Sequence, residues 1–145
     1  MKSFPFYPAY QNDCGPACLK MIASFYGKDV KLIKMDNILS IYMDGCSMLD
    51  LSDAAEQIGF KALAYQGRLG FLKTIHLPAI LHWQTNHFIV LFKIEADKYH
   101  IADPARGLLE ISDSELMDHW GIVHDGEQMA GYALTFNVSL PSVNK

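Results

Sequence analysis

The chain has 145 residues, half of them apolar, 12% aromatic and 19% charged. A chain of this length buries a core without disulfide or metal staples, and the composition excludes wholesale disorder. Twelve Lys and Arg against sixteen Asp and Glu give a net charge of −4 with the basic residues scattered, which argues against nucleic acid as a partner.

No apolar run approaches the about 20 residues of a membrane span. The first fifteen residues carry Pro5, Pro8, Asn12 and Asp13 instead of a signal-peptide core. A soluble, unsecreted chain is expected. Cys14, Cys18 and Cys46 are an odd number in a domain of this size, so thiols in a reducing compartment are expected, not disulfides. Even composition predicts one domain over 1–138. Residues 139–145, with Pro141 and Asn144, read as a tail or the start of a linker.

The first half reads helical. From Pro16, the apolar residues Leu19, Ile22, Ala23 and Tyr26 fall at i, i+3, i+4 and i+7, and Gly27 suits the C′ position. A second helix is expected around 32–41. A third is expected over 48–58, behind a capping-box pair at Ser47 and Asp50 and stopped by Gly59. The second half reads as strands over 61–65, 79–83, 87–94, 99–102, 108–111 and 132–136, separated by turn chemistry such as Asp103-Pro104 and Arg106-Gly107. One helix, 113–120, interrupts them behind the Ser112/Glu115 pair. Helices followed by strands imply an α+β fold, with an N-terminal helical layer packed on a C-terminal antiparallel sheet.

Asp13-Cys14-Gly15-Pro16 sets a thiol at the mouth of the first helix. The N–H groups and partial positive charge there stabilise a thiolate and can receive an oxyanion. Gly15 leaves room for a substrate backbone. A buried small hydrophobe is the competing reading of Cys14 taken alone. Of six histidines, His87 follows a Trp-Gln-Thr-Asn turn and begins the strongest strand; His76, His82, His100, His119 and His124 read as structural or surface residues.

Asp103 can orient the His87 ring if residues 95–97 form a three-residue hairpin loop. Asp103 then lies opposite Ile89 and diagonal to His87, at a Cβ separation of roughly 7–8 Å. A two-residue loop would send the pair to opposite faces. A turn-initiating Asp-Pro is the competing reading of Asp103. Trp83 either shields the cleft beside His87 or belongs to the core. Met21, Met48 and Leu51 either line an apolar groove or pack inside. Cys14, Cys18, His82 and His87 have poor metal-ligand spacing and no C-x-x-C pair, so no metal is expected.

Taken together, Gln11 to Ile22, then Phe25-Tyr26-Gly27, Leu77-Pro78-Ala79-Ile80-Leu81-His82-Trp83, Asn86-His87-Phe88-Ile89-Val90-Leu91 and Asp103-Pro104-Ala105-Arg106-Gly107 resemble the N-terminal, papain-like cysteine peptidase domain of bacteriocin-exporting ABC transporters. The resemblance runs from about Tyr10 to Gly121. It implies a peptidase that cuts a precursor's leader after a Gly-Gly pair at the cytosolic face of the membrane. The membrane and ATP-binding domains of an attached transporter would then export the rest. On that likeness Cys14 is the nucleophile, His87 the general base and acid, and Asp103 the group that orients it; no cofactor is required. Gly15 and Trp83 are candidate substrate contacts. Where the family usually has a glutamine for the oxyanion, six residues before the nucleophile, this chain has Pro8. Gln11 either replaces it or leaves the work to backbone donors. Two alternatives stand beside this reading: a related domain that only docks cargo, and an amidase or acyltransferase on the same fold.

Overall fold

The stripe of apolar residues after Pro16 folds as helix α1, Cys14–Phe25, in the computed structural model. The structure describes residues 4–8, 14–28, 47–83, 87–120, 123–125 and 128–138. Leu19, Met21, Ile22 and Ala23 are buried. Gly27 adopts a φ of 80°, and the Lys28 N–H donates to the Ala23 carbonyl at 2.9 Å while the Gly27 N–H reaches Ser24. That pattern is a Schellman stop, for which glycine is favoured. Helix α2, Met48–Gln57, starts with the expected box: Ser47 Oγ accepts from the Asp50 N–H and Asp50 Oδ2 from the Ser47 N–H. The expected helix at 32–41, the tail 139–145, Gln11 and Cys46 all lie outside the described residues.

Strands follow as expected, most of them a residue or more longer at each end. They are β1 (Phe60–Gly67), β2 (Ala79–Trp83), β3 (His87–Glu95), β4 (Lys98–Asp103), β5 (Gly107–Ser112), β6 (Val123–Asp125) and β7 (Gln128–Val138). Two short helices accompany them, α3 (Leu69–Leu72) and α4 (Asp113–Trp120). β6 and α3 carry too few residues for periodicity to reveal them. The antiparallel order is β1-β7-β2-β3-β4-β5, with β6 on β7. One sheet face, with Phe60, Ile80, Val90 and Phe136, packs against α1 and α2. The other, with Leu81, Ile89, Leu91 and Ile101, is closed by Leu116 and Trp120 of α4. Met21 and Leu51 are fully buried, which settles their reading as core.

The β3–β4 hairpin corrects one expectation. Glu95 pairs with Lys98 and Ile94 with Tyr99, so the loop has two residues, not three, with a positive φ of 55° at Ala96. A register slip between Leu91 and Lys93 then follows, and beyond it Val90 pairs with Ala102. The extra residue, Phe92, is a β-bulge. Continued by one residue, this register sets Asp103 across from Ile89. The bulge supplies the one-residue offset that a longer loop was expected to supply.

Candidate active site

Three element ends meet here: the first residue of α1, the first of β3 and the last of β4. Asp103 is 2% exposed and His87 20%. His87 Nε2 donates to Asp103 Oδ1 at 2.7 Å. A second side-chain hydrogen bond joins His87 to Cys14. With Nε2 engaged by the carboxylate, Nδ1 is the ring nitrogen left to serve the sulfur.

Asp103 also closes the turn that follows it. Its Oδ1 accepts from the Ala105 N–H at 2.9 Å, and its carbonyl accepts from the Arg106 N–H at 2.9 Å. Turn formation and ring orientation, weighed as alternatives from sequence, are performed by one side chain.

The electrostatics follow from these contacts. Hydrogen bonds to Asp103 and then to Cys14 push the His87 imidazole up to about 9, against the opposing effect of burial. Burial works to raise the Asp103 carboxyl. The hydrogen bonds from His87 and the Ala105 N–H, with the positive charges of His87 and Arg106, outweigh it and hold the group below its ordinary value. The protonated, cationic form of His87 beside the Asp103 carboxylate is therefore favoured near neutral pH.

Cys14 is 6% exposed at a helix mouth that presents N–H donors. Gly15 is buried in the same turn. Trp83 stands directly across from His87 in the β2–β3 ladder and is 5% exposed, so it is a core residue that flanks the site. Pro8 is exposed. Four other histidines have structural partners: His76 on the Tyr26 hydroxyl, His100 on Glu95, His82 against Phe88 and His119 against Trp83. Burial lowers the His82 imidazole. Arg106 and His119 were not singled out from sequence. Arg106 carried a signal, being inside the Asp-Pro-Ala-Arg-Gly turn; His119 carried none. Among the described residues, no group of three His, Cys, Asp or Glu gathers in a metal-binding arrangement.

The arrangement is suited to acyl transfer through a thioester. Comparison with known proteins agrees with that chemistry. The profile of the Peptidase C39 family matches residues 6–124. The chain is 33% identical over 135 residues to the colicin V secretion/processing ATP-binding protein CvaB of Escherichia coli, covering 90% of this chain and 19% of that protein. It is 31% identical over 120 residues to the lactococcin-G-processing and transport ATP-binding protein LagD of Lactococcus lactis subsp. lactis, covering 79% and 17%. The chain thus spans about a fifth of the length of these curated relatives. Among solved structures, a double glycine motif protease from an AMS/PCAT transporter, crystallised with its leader peptide, superposes with a TM-score of 0.80 at 28% identity, covering 93% of this chain and 91% of that one. The peptidase domain of Streptococcus ComA shares the fold with a TM-score of 0.76 at 18% identity, covering 95% and 100%. The helical layer on an antiparallel sheet is the architecture expected of a papain-like domain.

Proposed function

Because the chain belongs to the Peptidase C39 family, we propose that it is a cysteine endopeptidase that removes the leader of an exported peptide precursor by cutting after a Gly-Gly pair. The single observation that carries this reading is the convergence of Cys14, His87 and Asp103 from three separate elements. A module that only docks cargo has no use for a histidine held between a thiol and a buried carboxylate.

In the proposed reaction, the proton given up by Cys14 rests on His87, and the sulfur attacks the carbonyl carbon of the second glycine. Backbone N–H groups at the mouth of α1 receive the oxyanion. Collapse breaks the C–N bond, His87 returns its proton to the leaving amine, and the leader remains on Cys14 as a thioester. Water, deprotonated by His87, then releases the leader as a carboxylate and regenerates the thiolate. Asp103 keeps Nε2 protonated and the ring turned so that Nδ1 faces sulfur. A pair of glycines passes where any Cβ would clash, so specificity arises by steric rejection.

The relatives' names join processing to secretion or transport and to ATP binding. By that likeness this domain acts on the cytosolic side of a bacterial membrane, beside the membrane and ATP-binding domains of a transporter. Among the described residues, no helix is long and apolar enough to cross a membrane.

A purified chain incubated with a synthetic leader–core peptide tests the reading. The expected products are a leader ending in Gly-Gly and a core with a free amino terminus, and Cys14→Ala abolishes both. Cleavage by Cys14→Ala would overturn the mechanism, and transfer of the leader to an added amine in place of water would replace the peptidase by an acyltransferase.

A further inference from the structure

Side-chain hydrogen bonds to Asp103, through Nε2, and to Cys14 hold the His87 ring. Trp83 stands directly across the β2–β3 ladder from His87, and opposed residues share a face with Cβ atoms about 4.5–5.5 Å apart.

The indole is itself held from behind. The His119 ring lies on it with centroids 5.3 Å apart and planes 11° from parallel. His119 Nδ1 donates to the Glu115 carbonyl one turn back at 3.0 Å, which fixes the plane of the stacked ring. Helix α4 cannot slide away, because Leu116 and Trp120 are fully buried in the same cluster as Trp83 and Trp120 Nε1 donates to the Tyr132 carbonyl at 2.9 Å. Neither His119 nor Trp83 is required by amide hydrolysis as such.

We infer that His119 is a positioning residue for His87, acting through Trp83: the stack backs the indole, and the indole keeps the imidazole in the plane that Cys14 and Asp103 need. The inference rests on the proposed peptidase reading for the role of His87.

The test uses the intact chain with His119→Ala and His119→Phe. It reads kcat and KM for leader cleavage, and separately the rate at which iodoacetamide alkylates Cys14 near neutral pH. A misplaced group costs the chemical step and not ground-state binding. His119→Ala is expected to lower kcat about tenfold with KM changed less than about twofold, and to slow alkylation. His119→Phe restores both, because a phenyl ring stacks but carries no proton. If His119→Ala lowers the melting temperature markedly, His119→Leu, which keeps bulk without a stacked ring, takes its place with the same expected readouts. Unchanged kcat and alkylation in the non-aromatic variant would overturn the inference, as would a folded His119→Phe chain no better than Ala. A wild-type chain that cleaves no Gly-Gly leader, while His119→Ala still slows alkylation, removes the peptidase reading and leaves the positioning role standing.

Discussion

Asp103 uses one oxygen for two purposes, and the pH behaviour of the molecule follows from it. Its Oδ1 takes both the His87 Nε2–H and the Ala105 N–H. His87 is raised from 6.5 to about 9 in the fold. Protonation therefore favours the native state, and this contribution is complete below about pH 6.5 and lost as pH rises through 9. Asp103, held low, acts at the other end: its contribution is present above the ordinary carboxyl range and lost as pH falls through its depressed value. Asp103→Asn removes the largest influence raising His87. The basic limb of kcat/KM should then move from near pH 9 toward neutrality, and the loss of urea stability over that window should flatten. The rate itself should fall on the order of 10²-fold; a limb that stays in place would contradict the assignment. At this scale the sequence was informative where chemistry is local. Cys14 sits at a helix mouth and His87 opens a strand, and both signals lie within a few residues. His119 reaches Trp83 only through the packing of α4 on the sheet, which no local pattern encodes.

Elements were legible in proportion to the strength of their boundary chemistry. The Ser47/Asp50 box and the Gly27 stop appear where they were read. Ser47→Ala should cost about 1 kcal/mol in urea unfolding. The β3–β4 hairpin was misread, because Ala96 takes a positive φ where glycine or asparagine would have announced a two-residue loop. Its compensating bulge is supported by a distant partner: the Phe92 ring stacks on Phe4 with centroids 4.4 Å apart, an aromatic contact from the other end of the chain. Strand β7 holds a second hidden constraint. A Cβ on Gly131 would lie 2.5 Å from the Trp120 indole and 2.6 Å from the Trp120 carbonyl oxygen. Gly131→Ala should therefore displace a buried side chain and cost about 1–3 kcal/mol, more than loss of the Ser47 cap. A smaller loss would mean that α4 is less tightly seated than the structure indicates.

The whole molecule divides its labour between halves of the sequence. Helices from the first half supply the nucleophile's mouth, and strands from the second supply the ring and the carboxylate. That division was readable from helical periodicity giving way to short β-rich runs. The strand order was not, since β7 inserts between β1 and β2 through pairing that spans about half of the chain. The site depends on this long-range assembly, so its central claim concerns a bond that exists only when both halves are in place. The most direct measurement is intact-mass analysis of the chain acid-quenched during turnover of a Gly-Gly leader–core peptide. An adduct equal to the leader fragment less one water, mapped to Cys14 and missing from Cys14→Ala, is the predicted result. Sustained cleavage with no adduct, or an adduct on another side chain, would contradict it.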